Sequence, residues 1–176
     1  MKKFCIVFVI VAIIILTGIG LIFPKENKSV EYLRIHIRAN SNLQADQSVK
    51  YQVKQAVVDY LTPFIADCTT KSMAEQMVKE NLLGIEQVAN GVLKQNGFNY
   101  NSSAKINNES FPTRVYDGVV LDSGYYDALI INLGSGEGDN WWCVVYPPLC
   151  FTGEGTNYQY KSKILGIIND FFYKKR

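Results

Sequence analysis

From Phe4 to Phe23 the chain carries no charged residue, and Lys2 and Lys3 stand directly before that run. About twenty residues at a helical rise of 1.5 Å each span roughly 30 Å, the thickness of a bilayer's hydrocarbon core. A stretch of this kind has two uses, a Sec-type signal or an uncleaved transmembrane anchor, and both hold residues 1–23 apart from whatever folds after them. Gly18 and Gly20 offer small residues for cleavage before Leu21; the length of the run suits retention equally, and both uses stay open. The two lysines place the N-terminus in the cytoplasm and the remainder outside it. Residues 24–29, Pro-Lys-Glu-Asn-Lys-Ser, read as a polar linker. Residues 30–176 follow as a single domain, long enough to bury a core.

Charge and cysteine usage narrow the options for that domain. Setting Lys2 and Lys3 aside, sixteen basic residues face sixteen acidic ones, so the exported part has no electrostatic footprint for nucleic acid. An oxidising compartment lets thiols pair. Cys143 and Cys150 flank Tyr146-Pro147-Pro148, a turn-forming stretch that can fold the chain back, and a disulfide between them is expected. Cys68 has no evident partner and reads as a buried core residue.

Hydrophobic periodicity gives an α+β order. Glu31 to Arg38 alternates, with Ile35 and Ile37 apolar, as a first strand ending at Ala39-Asn40-Ser41-Asn42. A helix is expected from Gln44 to Leu61, its stripe running through Val49, Val53, Val57 and Leu61, with Pro63 ending it. Ser72 with Glu75 reads as a capping box that opens a second helix, continued by Val78, Leu82, Ile85, Ala89 and Leu93 to Asn96 and stopped by Gly97. From Phe98 through Ile106 the period changes to two. Val115–Leu121, Tyr126–Leu133 and Trp141–Tyr146 are further strands, and Lys161 to Tyr173 is a last helix. Short polar links between strands favour antiparallel neighbours. The fold expected is a mainly antiparallel sheet packed on one face by helices, behind an N-terminal membrane or signal helix.

Catalytic groups are scarce. His36 is the only histidine, and no C-x-x-C or H-x-x-x-H spacing exists to hold a metal. Neither a catalytic set nor a cofactor or metal site can be assembled from these residues, so the chain does not read as an enzyme. Strand alternation puts Arg34, His36 and Arg38 on one face, running on to Asn40 and Ser41. Such a face suits an anion or a partner's carboxylate. The run Gly134-x-Gly136-x-Gly138 opens onto Trp141-Trp142 rather than a helix, and reads as a flexible hairpin loop instead of a phosphate cradle. Trp141 and Trp142 fall on opposite faces of their strand, so one indole is free to anchor a partner beside Pro147 and Pro148. A cell-wall hydrolase or carbohydrate-binding domain, with one indole stacked on sugar and acids such as Asp122, Asp127, Glu137 or Asp139 close by, is the alternative.

Four strings give a resemblance. They are Arg34-Ile35-His36-Ile37-Arg38-Ala39-Asn40-Ser41; Phe111-Pro112-Thr113-Arg114-Val115-Tyr116; Gly124-x-Tyr126-x-Ala128-Leu129; and Asn140-Trp141-Trp142-Cys143 with Pro147-Pro148-Leu149-Cys150. Together they resemble the stage II sporulation protein R family of endospore-forming bacteria. The resemblance implies a signalling protein exported from the forespore into the space between the forespore and mother-cell membranes, secreted there or held by its N-terminal segment. Its implied partner is a mother-cell membrane aspartic protease, which it activates to mature the sigma-E precursor. No small-molecule substrate is implied.

Overall fold

The computed structural model describes residues 32–116, 118–152 and 158–173, which belong to one compact unit of residues 31–176. The expected signal or anchor of residues 1–23 and the linker of residues 24–29 lie outside the described residues. Among the described residues no helix is long and apolar enough to cross a membrane.

Strand β1 (Leu33–Arg38) alternates as its sequence demands, and Leu33, Ile35 and Ile37 are sealed from solvent on one face. Helix α1 (Gln44–Ile65) then runs past its expected end, with Pro63 inside its last turn. That proline forgoes a single bond, to the carbonyl of residue 59. Leu61 and Ile65 on either side are fully buried, and the helix ends only where the Ala66 N–H meets the Thr62 carbonyl at 3.0 Å.

The expected single second helix is two helices, α2 (Lys71–Glu80) and α3 (Leu82–Gln95), broken at Asn81. Asn81 turns its amide back onto the Met77 carbonyl at 2.8 Å, and its Oδ1 accepts from the Tyr60 hydroxyl at 3.0 Å. A Cβ on Gly84 would meet that hydroxyl at 2.0 Å, so the glycine admits the tyrosine that holds the break. The expected capping box also gives way. Thr70 caps α2 by accepting from the Met73 N–H at 3.2 Å, while Glu75 pairs with Lys79 one turn on. Gly97, at φ 79°, stops α3 as expected.

Four strands form the main sheet in the order β2-β5-β1-β6: β2 is Ser102–Phe111, β5 Gly124–Leu133 and β6 Asn140–Tyr146. The β2–β5 and β1–β6 pairs are antiparallel, but the central β1–β5 pair is parallel. Short links govern only sequential neighbours, and β1 is joined to β5 through three helices and a hairpin, which leaves the pair free to run parallel. The segment read as one strand, Val115–Leu121, is a hairpin of β3 (Arg114–Tyr116) and β4 (Val119–Leu121), with Gly118 at φ 83° in its turn. Since Phe111 pairs with Gly124 and Arg114 with Leu121, β2-β3-β4-β5 is one long hairpin bent at Pro112–Thr113 and Asp122–Ser123. Its far end folds over the sheet as a flap.

The two sheet faces differ. Helices α1, α2 and α3 cover the one bearing Ile35, Ile37, Leu129, Ile131, Cys143 and Val145, where Val53, Val57, Val78, Ile85 and Ala89 complete the core. Beneath the flap the other face carries Phe111, Tyr126, Ala128 and Ile130, and a neighbouring cluster of Leu121, Val144 and Leu149. Helix α4 (Tyr158–Tyr173) serves both, with Ile164 in the main core and Ile168 and Phe172 against the Leu121 cluster, so helices are not confined to one face as expected. Cys143 and Cys150 are bonded, their Cα atoms 6.3 Å apart, around a cis Tyr146–Pro147 peptide. Cys68 is a buried free thiol, raised above its ordinary pKa by burial.

Candidate functional site

Register places Arg34, His36 and Arg38 side by side on the flap-covered face, opposite Ala128, Ile130 and Asn132 of β5 and Val144, Trp142 and Asn140 of β6. Sequence alternation requires that common face; the depth comes from the cover. Arg34 is 0% and His36 2% exposed, while Arg38 keeps a third of its side chain in solvent. Phe111 joins the stripe together: its ring packs on Arg34, 4.4 Å from the guanidinium carbon, and edge-on to Trp142 at 4.7 Å. Trp142 in turn stacks on His36, ring centroids 3.6 Å apart.

Glu109 of β2 closes the cluster. It accepts from Arg38 Nη2 through both oxygens, at 2.9 and 2.8 Å, and from His36 Nδ1 at 3.2 Å. Burial pushes the His36 pKa below its ordinary value; Asn140 and Glu109 pull it upward and Arg38 adds to the downward push. A neutral ring donating from Nδ1 leaves Nε2 a bare acceptor, and that atom is buried without a partner. Glu109 thus pairs with Arg38 and His36, while Arg34 on the same strand face bonds the Tyr116 hydroxyl. A base whose free nitrogen is buried beside an indole is poorly placed to take a proton from a solvent-borne substrate.

Asn40 and Ser41 belong to a second network, half-buried at the top of β1. Asp46, at the start of α1, accepts from Ser41 Oγ, from Asn40 Nδ2 at 3.2 Å and from the Tyr100 hydroxyl at 2.5 Å. Burial alone would raise this carboxyl, but those bonds outweigh it and hold its pKa below the ordinary value. The same turn pins the glycine-rich loop expected to be flexible. Gly138 N–H donates to the Ala39 carbonyl at 2.8 Å, Ser135 N–H to Asn40 Oδ1 at 3.0 Å and Asp139 N–H to Asn42 Oδ1 at 2.6 Å, while buried Lys50 holds the Asp139 carbonyl at 2.9 Å. A Cβ on Gly138 would stand 2.3 Å from the Ser41 carbonyl oxygen, so glycine is there for close approach.

Trp141 and Trp142 do lie on opposite faces, and both are half-buried. Trp141 packs at the margin of the main core with the Lys54 ammonium 5.8 Å above it. Pro147 and Pro148 are buried beside the disulfide. Arg38, Asn40, Ser41, Trp141 and Trp142 therefore reach solvent in part, whereas Arg34, His36, Pro147 and Pro148 lie beneath the surface. The sequence reading missed Glu109. Its signal was parity alone: it sits two residues before Phe111 on the same strand, and its partner Arg38 is 71 residues away.

The family model described as stage II sporulation protein R matches residues 29–156, which contain the whole cluster, and the chain belongs to that family. It is 37% identical over 119 residues to the stage II sporulation protein R of Bacillus subtilis (strain 168), a match that takes in 68% of this chain and 53% of the relative. The chain thus spans about half the length of the curated relative it matches. No solved structure matches it.

Proposed function

We propose that the protein is an exported sporulation signal that acts by binding: outside the forespore it engages a mother-cell membrane aspartic protease and switches on maturation of the sigma-E precursor. Membership of the stage II sporulation protein R family carries the proposal. Two features are in keeping with it. The uncharged run of residues 4–23 behind Lys2 and Lys3 suits export, and the one histidine is locked between Trp142 and Glu109, which suits a surface organised to be recognised. The half-exposed margin of the cluster, Arg38 with Trp142, is the part a partner can touch without opening the fold.

Co-expression of this chain with the protease and the sigma-E precursor in a non-sporulating host tests the proposal. Precursor cleavage that depends on all three proteins is expected, and cleavage that proceeds equally without this chain overturns it. Arg38→Ala separates binding from chemistry. Loss of an arginine anchor weakens affinity by about 2 kcal/mol, and raising the dose restores full processing. Processing that stays low at saturating dose of folded variant assigns Arg38 a role other than affinity.

A further inference from the structure

Arg34 is a guanidinium with no exposure to solvent, and among the described residues no carboxylate pairs with it. Its Nη2 donates to the Tyr116 hydroxyl at 2.9 Å; Nε and Nη1 are buried without an acceptor. The rings of Phe111, Tyr126 and Tyr116, at 4.4, 4.8 and 5.7 Å from the guanidinium carbon, surround the group. Aromatic faces attract its charge but do not satisfy its N–H donors. Each two-nitrogen edge of the guanidinium fork therefore contains an unfilled donor, which is the vacancy a carboxylate occupies with paired N–H···O bonds. A single guanidinium in an apolar enclosure also matches a monoanion, whereas a phosphate would bring a second charge with no cation to meet it.

The cover over Arg34 is short, seated through Leu121 against Val144 and Leu149. Strands β3 and β4 have three residues each, and their one polar hold on Arg34 is a phenol hydroxyl. Outside, the flap shows Val115 and Val120, directly paired and 63% and 59% exposed, an apolar surface against which a peptide backbone can lie.

We propose that Arg34 is the receptor for a carboxylate side chain of a protein partner, reached when the β3–β4 flap lifts and the Tyr116 hydroxyl yields to the acid. The site stands on the geometry; only the identity of the partner rests on the function proposed above. A failure of precursor cleavage in reconstitution would sink the protease role and leave the binding measurement untouched.

The test uses the full chain in detergent micelles with ¹⁵N-labelled arginine, following the Arg34 Nε–H resonance. The probes are the blocked peptide acetyl-Gly-Asp-Gly-amide, its Asn analogue, acetate and inorganic phosphate. A saturable shift with the Asp peptide is expected, at least tenfold weaker with the Asn analogue and with phosphate, and absent in Arg34→Met. Tyr116→Phe removes the competing hydroxyl and should tighten Asp-peptide binding several-fold; it also keeps the test decisive if Arg34→Met does not fold. Acetate as potent as the peptide would mean a free small carboxylate, and would overturn a peptide-borne ligand. No saturable shift in either the native chain or Tyr116→Phe, or equal binding of the Asn peptide or phosphate, overturns the site.

Discussion

Ile35 and Ile37 on one side of β1, and Arg34 and His36 on the other, are buried to nearly the same depth, yet different forces hold them. On the helix side Ile35 and Ile37 belong to one large hydrophobic cluster, and each sealed aliphatic side chain contributes about 1.5–3 kcal/mol through removal from water. On the flap side burial costs energy before it returns any, because guanidinium and imidazole leave water for an enclosure that satisfies only part of their hydrogen-bonding capacity. One face makes the domain stable; the other spends stability on a fixed pattern of charge.

The largest effect expected is on the helix side. Ile35→Ala should lower stability by about 2–5 kcal/mol, read from the urea midpoint, since the sheet and α1 leave little room to collapse around the cavity. A loss below about 1 kcal/mol would mean that this face is loosely packed and the comparison fails. Next comes the Asp46 network, which links β1 to α1 and Tyr100. Removing one charged hydrogen bond by Tyr100→Phe should cost about 1.5–3 kcal/mol at neutral pH. Because the folded pKa of Asp46 lies below its ordinary value, its stabilisation is complete above about pH 4 and lost as the pH falls through the folded value. Tyr100→Phe should therefore unfold at a higher pH than the native chain in an acid titration, and coincident acid midpoints would remove Asp46 from the account.

On the flap side the sign changes. Arg34→Met, which keeps length and volume but discards the charge, should leave stability unchanged or raise it by about 1 kcal/mol, because a buried charge without a counter-ion is replaced by a side chain suited to its surroundings. A loss of about 3 kcal/mol would show that Arg34 has an internal counter-charge and that the two faces are held alike.

The helix side was largely legible in the sequence and the flap side only in part, for a physical reason. Val49, Val53, Val57 and Leu61 announce a buried helical stripe by spacing alone, and all four are sealed. Arg34, His36 and Arg38 announce a shared face by parity, but nothing local says that the face is covered. Its cover comes from Phe111 and Trp142 over His36 and from Tyr116 over Arg34, and Gly118 at φ 83° makes a turn inside what reads as a continuous apolar strand. Helix ends misled for a similar reason. Burial of Leu61 and Ile65 carried α1 past Pro63, and a contact from Tyr60 broke the stripe at Asn81. Tertiary contacts outweighed local signals at each of these points.

The smallest effect expected is the pH dependence that His36 confers, and it isolates the flap side because the chain has no other histidine. Burial lowers the folded pKa of His36 below 6.5, with Glu109 and Asn140 opposing the shift and Arg38 reinforcing it. Below 6.5 the unfolded chain therefore binds a proton that the folded chain refuses, so folding stability falls as the pH drops from 6.5 toward the folded value and is level above it. A groove of carboxylates around the ring would give the opposite slope. Melting temperatures measured from pH 5 to 8 should rise to about pH 6.5 and then flatten, and His36→Gln, which retains a donor toward Glu109, should abolish the rise. A melting temperature that climbs as the pH falls would mean that Glu109 outweighs burial and that His36 is charged within the fold, which would place the flap side under an ion pair in place of a neutral stack with Trp142.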